Sequence, residues 1–116
     1  MRILVADDNR DAVSMLEALL YDEGHVVDAV YKGTDVMPAM RVFDPDAVLL
    51  DIKMPGMSGY DIACLIRERW GTRPLLIAIS GHFKKGPDQI LAQIAGFDHF
   101  FPKPYDPNAL LAVLRD

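Results

Sequence analysis

Five short apolar segments, separated by segments with helical periodicity, constrain the fold of this chain more than any other feature. The five segments are Ile3–Ala6, Val26–Val30, Ala47–Leu50, Leu75–Ile79 and His99–Phe101. Most of them are rich in Val, Ile, Leu or Phe and lack polar alternation, which is typical of strands covered on both faces. Strands that alternate with helices favour right-handed crossovers. The sequence therefore predicts an α/β fold with a five-stranded parallel sheet and helices on both faces.

The intervening segments carry signals for helix starts and ends. Pro38 would remove a backbone hydrogen bond from a helix interior. We therefore expect Thr34 or Asp35 to cap the second helix and Pro38 to lie in its first turn. The other predicted helices are Asp11–Glu23, a helix that opens at Ser58, Pro87–Ala95 and Asp106–Asp116. The apolar residues predicted to face the core in the fourth helix are Ile90, Leu91 and Ile94.

Composition is that of one soluble domain and argues against several classes of function. The 116 residues are 51% hydrophobic and 25% charged, so we expect a single domain over residues 1–116 with no effector domain after it. The longest apolar run is the five residues of Leu75–Ile79, whereas a membrane span needs about 20. Cys64 is the only cysteine, which suits a cytoplasmic protein, and we expect it in the core. A net charge of −5 argues against direct nucleic-acid binding, and no export signal is visible.

Polar side chains follow four of the five predicted strands, at the sheet edge where open α/β folds bind ligands. They are Asp7 and Asp8 after the first strand, Asp51 after the third, Ser80 after the fourth and Lys103 after the fifth. Each residue alone is more often a helix cap or a solvated charge, but their joint placement favours a functional site. Three carboxylates in one cleft raise one another's pKa unless a cation neutralises them.

The types of side chain at this edge indicate which ligands it would take. Oxygen ligands without His or Cys favour a hard ion, Mg²⁺ or Mn²⁺. Such an ion beside an ammonium and a hydroxyl could receive the equatorial oxygens of a phosphoryl group. The residues alone therefore indicate a metal-assisted phosphoryl site.

Four segments occur in a distinctive order and spacing. They are Ile3–Asn9, Leu49–Gly59, Ala78–Gly81 and Gly96–Pro104. In these segments the chain resembles the receiver domains of bacterial-type two-component response regulators, and the resemblance extends from Arg2 to about Leu114. It implies a flavodoxin-like, doubly wound sheet with strand order 2-1-3-4-5.

The resemblance also implies a role for each acidic residue of the site. Asp51 would be the phosphoacceptor, taking a phosphoryl group from the phosphohistidine of a histidine kinase or from a phosphotransfer protein. Asp7 and Asp8 would hold Mg²⁺ together with this aspartate and the backbone carbonyl of Lys53. The only chemistry implied for the chain itself is self-phosphorylation from a phosphodonor and autodephosphorylation.

The remaining site residues would bind the phosphoryl group or respond to it. Ser80 and Lys103 would each contact a phosphoryl oxygen, and Lys103-Pro104 resembles a family step whose peptide bond is cis. Phe100 matches the family's switch aromatic residue. Lys53 and His82 occupy positions that tune the lifetime of the phosphoryl group, although both are equally well interpreted as solvated loop residues.

Phosphorylation is expected to change a face made by Pro87–Ala95, His99–Phe101 and Asp106–Asp116. A downstream protein or an attached domain would bind there, and phosphorylation-dependent homodimerisation stays open. The sequence suits either a stand-alone receiver or a domain cut from a larger protein, such as a hybrid sensor kinase.

Three other functions fit these residues less well than that of a receiver. A phosphoaspartate hydrolase of the haloacid-dehalogenase type needs a second acid two residues after its aspartate, where this chain has Lys53. A nucleotide- or flavin-binding module needs a Gly-rich or hydroxyl-rich loop after the first strand, where Asp7-Asp8-Asn9 would repel phosphate. A degenerate receiver that serves as a constitutive interaction module is disfavoured by the complete set of site residues.

Overall fold

The computed structural model describes residues 1–81 and 86–115, and its central feature is a five-stranded parallel sheet. The strands are β1 (Arg2–Ala6), β2 (Val26–Val30), β3 (Ala47–Asp51), β4 (Leu75–Ser80) and β5 (His99–Pro102). The helices are α1 (Arg10–Asp22), α2 (Val36–Phe43), α3 (Gly59–Trp70), α4 (Pro87–Ala95) and α5 (Pro107–Val113). The strand order is β2-β1-β3-β4-β5, which confirms the flavodoxin-like α/β fold.

Two apolar layers lie on opposite faces of the sheet, because neighbouring residues of a strand point to opposite faces. Leu4, Val48 and Leu76 pack on the face that α2, α3 and α4 cover. Ile3 and Leu49 pack on the other face, with α1 and α5. Every residue of β3 is buried, which explains why its sequence shows no polar alternation.

Polar side chains cap several helices, and two of them, Ser58 and Asp106, do so at the predicted positions. Asn9 caps α1 by accepting a hydrogen bond from the backbone N–H of Ala12 at 3.1 Å. Ser58 and Asp106 cap α3 and α5 in the same way. A short 3₁₀ turn, Gly33–Asp35, precedes α2, so Pro38 lies in the first turn of that helix as predicted.

The outward face of α4 corrects one expectation. Ile90, Leu91 and Ile94 are 58%, 49% and 76% exposed, whereas the small side chains of Ala92 and Ala95 are buried. The alanines face the core, so the larger aliphatic side chains remain outside. The helical pattern was right, but the choice of the buried face was wrong.

Two smaller expectations also differ from the structure. Cys64 is exposed, because α3 buries Ile62, Ala63 and Ile66 on its other face. Helix α5 ends at Val113, before the predicted end at residue 116, which lies outside the described residues. None of the helices in the described part of the chain could span a bilayer, since the longest, α1, has 13 residues.

Candidate functional site

The carboxyl ends of four strands bring the predicted polar residues to one edge of the sheet. Asp7 directly follows β1, Asp51 and Ser80 are the last residues of β3 and β4, and Lys103 directly follows β5. The Lys103 Nζ atom lies 3.0 Å from Asp7 Oδ2 and 3.6 Å from Asp51 Oδ2. The backbone N–H of Lys103 also donates to the Ser80 carbonyl at 2.7 Å, which fixes the loop that carries the ammonium.

Three carboxylates form the acidic part of this site. One ligand oxygen from each of Asp7, Asp8 and Asp51 lies within 4.8 Å of the others. Asp7 and Asp51 are each only 7% exposed, whereas Asp8 is exposed. The cluster therefore has two carboxylates at its base and one at its mouth, which leaves it open to a ligand from solvent.

Backbone N–H groups orient the two buried carboxylates. Asp7 Oδ1 accepts from the N–H of Asn9 at 2.9 Å, and Asp51 Oδ1 accepts from the N–H of Lys53 at 3.1 Å. In both residues the other oxygen, Oδ2, faces Lys103. One oxygen of each carboxylate is thus held by its own loop, and the second is directed into the site.

Burial and like charge make Asp51 hard to ionise. The pKa of Asp51 is raised from 3.8 to about 6, chiefly by burial and also by the charge of Asp7, while the ammonium of Lys103 opposes the shift. Burial alone would lower the pKa of Lys103, but the carboxylates of Asp7 and Asp51 raise it above its ordinary value. The ammonium therefore stays charged and neutralises only part of the negative charge.

The raised pKa of Asp51 makes a testable prediction about the metal-free protein. Because the folded pKa is higher than the unfolded pKa, this group stabilises the fold fully below about pH 4, and that stability is lost as pH rises through about 6. The shift of about two pKa units corresponds to at most about 3 kcal/mol. Asp51→Asn should therefore be more stable than the wild type at about pH 7.5 and nearly equal to it at about pH 4.

Urea unfolding of both proteins at the two pH values, with a chelator present, measures this difference. If Asp51→Asn and the wild type differed in stability by the same amount at both pH values, the difference would not come from ionisation of Asp51, and the prediction would be wrong.

The donor set fits a hard divalent cation. Among the described residues, three carboxylates face the one ammonium of Lys103, so this part of the site keeps excess negative charge that a cation would neutralise. All side-chain ligand atoms in the cluster are oxygens, the type that Mg²⁺ and Mn²⁺ prefer. The chemistry of the residues therefore supports the predicted metal.

The structure describes all but one of the other predicted residues. Ser80 is buried at 4% exposure, and Phe100 is half-buried against the core on the α2–α4 side of the sheet. The Lys103–Pro104 peptide bond is cis. Lys53 is exposed beside Asp51, while His82 lies outside the described residues.

Two glycines that the sequence analysis gave no role position the loop after Asp51. A Cβ on Gly59 would lie 2.8 Å from the Ile52 Cα and 3.0 Å from the Asp51 carbonyl oxygen. Gly33 donates its N–H to the Pro55 carbonyl at 2.9 Å, and a Cβ there would overlap the backbone of Met57. These close approaches could not be predicted from the sequence, because each glycine contacts backbone atoms that are distant in sequence or belong to a different element.

The sequence analysis also gave no indication of an apolar cleft beside the site. It has a volume of about 650 Å³, lies between α1 and α5, and reaches Asp7 and Lys103 at one end. Leu16 and Tyr105 are among its lining residues. No sequence pattern indicates such a cleft, because its two helices lie at opposite ends of the chain.

Fold and site together define an α/β domain with an acidic centre at the carboxyl edge of a parallel sheet. The family model described as the response regulator receiver domain matches residues 3–115. The chain therefore belongs to the response regulator receiver family, and the resemblance seen in its motifs is confirmed.

Similar proteins share this domain. The chain is 35% identical over 116 residues to the transcriptional regulatory protein TcrA of Mycobacterium tuberculosis, with 99% of the chain and 45% of TcrA aligned. It is 33% identical over 114 residues to the DNA-binding response regulator MtrA of the same organism, covering 98% of the chain and 49% of MtrA. The chain thus spans about half the length of these curated relatives.

Solved structures have the same fold. The BeF₃-activated N-terminal receiver domain of Klebsiella pneumoniae RstA superposes with a TM-score of 0.92 at 24% identity, over 99% of this chain and 96% of that one. A response regulator receiver domain protein from Methanospirillum hungatei gives a TM-score of 0.90 at 23% identity, over 97% and 89% of the two chains. At these identities the match concerns the fold alone.

Proposed function

We propose that this chain takes a phosphoryl group from a histidine kinase or a phosphotransfer protein onto Asp51, in a Mg²⁺-dependent reaction. The observation that carries the proposal is the position of this carboxylate. It lies at the end of a fully buried central strand, 3.6 Å from the Lys103 ammonium and within one cluster with Asp7 and Asp8. Membership of the receiver family supports the same function.

In the proposed transfer, a carboxylate oxygen of Asp51 forms a bond to phosphorus as the bond from phosphorus to the donor nitrogen breaks. The electron pair of the broken bond stays with the donor imidazole, and an acyl phosphate remains on the protein. Only the ionised carboxylate is a nucleophile, so its proton must be lost first. The Nζ atom of Lys103, which lies 3.6 Å from Asp51 Oδ2, would then form an ion pair with a phosphoryl oxygen.

Mg²⁺, or Mn²⁺ in its place, would be held by Asp7, Asp8, Asp51 and the backbone carbonyl of Lys53. When bound, the ion supplies positive charge that offsets the carboxylates and the phosphoryl oxygens. The chain contributes the fixed orientation of the ligands, since the N–H groups of Asn9 and Lys53 hold the Oδ1 atoms of the two buried aspartates.

Phosphorylation of the site would change a surface that we name the switch face, which is formed by α4, β5 and α5. The Ser80 hydroxyl would donate to a phosphoryl oxygen and draw the end of β4 inward. Phe100 pairs with Ala78 of that strand and carries no hydroxyl, so it could turn inward without burying an unpaired polar group. Lys53 and His82 would tune how long the phosphoryl group persists.

The partner at the switch face would be a downstream protein or an attached domain, or a second copy after phosphorylation. The exposed aliphatic side chains of α4, Ile90, Leu91 and Ile94, suit such partners. An attached domain is a candidate because TcrA and MtrA are about twice as long as the part aligned with this chain. A phosphoaspartate hydrolase is disfavoured, because Lys53 is exposed where that chemistry needs a second acid.

Backbone amide chemical shifts with and without Mg²⁺ and beryllofluoride test the proposed switch. We expect changes around Asp51 and, in addition, across the switch face, because the phosphoryl analogue biases two states of the domain. Ser80→Ala should keep the changes around Asp51 and lose most of those on the switch face. Ser14→Ala, at an exposed position on α1, should behave as the wild type. Changes confined to the loops after Asp8 and Asp51 in the wild type would contradict the switch.

A further inference from the structure

The apolar cleft between α1 and α5 shares residues with the aspartate site. Asp7 and Lys103 line one end of it, where the Lys103 Nζ atom lies 3.0 Å from Asp7 Oδ2 and 3.6 Å from Asp51 Oδ2. Among the described residues that line the cleft, Asp7 and Lys103 are the charged ones. The cleft therefore joins the aspartate site at its charged end, and most of the remaining lining is apolar.

The alternation of side chains along the strands places the two buried aspartates on the same face of the sheet as the cleft. Val5 and Leu49 line the cleft and belong to the apolar layer on the α1 and α5 side. Successive side chains of a strand point to opposite faces, so Asp7 and Asp51, each two residues further along, lie on that side too. A ligand bound at Asp51 can thus extend into the cleft along one face of the sheet.

The walls of the cleft suit an apolar ligand. Four residues of α1 line it with the spacing of one helical face: Ala12, Met15, Leu16 and Leu19. Tyr105, just before α5, also lines it, and its ring packs against that of Phe101 with 6.0 Å between the ring centroids. The volume of about 650 Å³ is in the range of small-molecule sites in proteins. The cleft thus has the size and the lining to bury a short apolar chain.

An acyl phosphate combines the two groups that such a site would bind. Its phosphoryl group is an anion with which the Lys103 ammonium can pair, and its acyl group can carry an apolar chain. We propose that the cleft binds the acyl chain of small phosphodonors, so that acyl phosphates with unbranched apolar chains phosphorylate Asp51 more efficiently than acetyl phosphate does. The proposal rests on the proposed phosphoacceptor function and adds the class of small donor that the site selects.

Transfer from an acyl phosphate differs from transfer by a phosphohistidine only in its leaving group. A carboxylate oxygen of Asp51 forms a bond to phosphorus as the bond from phosphorus to the acyl oxygen breaks. The electron pair of the broken bond stays with the departing carboxylate, so the products are phosphorylated Asp51 and a fatty acid anion. The chain contributes binding alone, which stabilises the bound donor and the transition state equally. It should therefore lower the donor concentration for half-maximal rate and leave the maximal rate nearly unchanged.

Hexanoyl phosphate, with acetyl phosphate as the reference donor, tests the proposal in the presence of Mg²⁺. The two leaving acids have nearly equal acidity, and the donors differ by four methylene groups. Burial of one methylene strengthens binding about fourfold, so partial burial of the chain predicts a second-order rate constant that is roughly tenfold higher for hexanoyl phosphate. Initial rates, followed by intact mass at several donor concentrations, give this constant and the maximal rate for each donor.

Two variants alter the cleft, and a third serves as the matched control. Ala12→Phe places a ring in the cleft, and Met15→Gln makes polar a side chain that lines it and is 76% exposed. Ala18→Phe is the control, because Ala18 is exposed on the same helix and is not among the residues that line the cleft. Both donors are compared on the same protein, so differences in folding cancel in the ratio of their rate constants.

In the wild type and in Ala18→Phe, the second-order rate constant for hexanoyl phosphate should be roughly tenfold that for acetyl phosphate. The ratio should fall to about one in Ala12→Phe and should fall severalfold in Met15→Gln. Equal rate constants for the two donors in the wild type, or an undiminished ratio in Ala12→Phe, would overturn the proposed acyl site.

Amide chemical shifts locate the chain directly. The probe is a ketophosphonate analogue of hexanoyl phosphate, in which a methylene replaces the bridging oxygen so that no transfer occurs. We expect it to shift the amides of Leu16 and Leu19, which the corresponding analogue of acetyl phosphate should leave unchanged. Shifts confined to the loops after Asp8 and Asp51 with both analogues would show that the chain does not enter the cleft.

Two outcomes separate the acyl site from the function on which it rests. If acetyl phosphate labels Asp51 and hexanoyl phosphate has no advantage, the acyl site is wrong while the phosphoacceptor function stands. If neither donor labels Asp51, the proposed function is wrong and the acyl site with it.

Discussion

Asp51→Asn is expected to abolish phosphorylation by a small phosphodonor such as acetyl phosphate while leaving the fold intact. The amide has nearly the shape of the carboxylate and still accepts the hydrogen bond from Lys53, but it is not a nucleophile. The expected loss is complete within detection, since Asp51 is the only residue of the cluster to which the proposed function assigns the bond to phosphorus. Phosphate-affinity electrophoresis after incubation with donor and Mg²⁺ measures the change.

Asp22→Asn is the matched control for this variant, because Asp22 is an exposed aspartate at the end of α1. It should be phosphorylated like the wild type, and circular dichroism should show that both variants fold. Equal labelling of Asp7 or Asp8 in the wild-type protein would contradict the assignment of Asp51.

The second large effect concerns the metal. Replacing both Asp7 and Asp8 by Ala should remove Mg²⁺ binding and Mg²⁺-dependent phosphorylation, because it leaves Asp51 as the only carboxylate of the cluster. The same double variant should raise the free energy of unfolding of the metal-free protein by about 1 kcal/mol at neutral pH, since Asp7 raises the pKa of Asp51. Calorimetric titration with Mg²⁺ and urea unfolding measure the two effects.

The double variant Asp11→Ala/Asp22→Ala serves as its control. It removes the same charge from exposed positions on α1, outside the cluster. The control should bind Mg²⁺ as the wild type does. Wild-type Mg²⁺ affinity in Asp7→Ala/Asp8→Ala would show that the acidic cluster is not the metal site.

The sequence predicts the sheet well because the signals for its strands are local. Unbroken apolar runs identify β3 and β4, which are buried on both faces. Ser58 accepts a hydrogen bond from the N–H group three residues later, so it acts as a cap whatever the tertiary contacts. The site edge follows from the same reasoning, because the carboxyl ends of parallel strands must meet.

Features that depend on distant partners could not be predicted in this way. Helical periodicity places Ile90 and Ile94 on one side of α4, but only the packing of Ala92 against the sheet decides which side is buried. The side chain of Arg67 donates to three backbone carbonyls, a group that every residue has, so no sequence pattern indicates these hydrogen bonds. The pKa of Asp51 likewise depends on burial and on Asp7, 44 positions away in the chain.

The central claim is that Asp51 accepts a phosphoryl group with the help of a divalent cation. Incubation of the wild-type chain with acetyl phosphate and Mg²⁺, followed by intact mass measurement and mapping of the modified peptide, tests it most directly. We predict a mass increase of one phosphoryl group per chain, located on Asp51 and lost when a chelator replaces Mg²⁺. No mass increase, or a phosphoryl group mapped to another residue, would contradict this account.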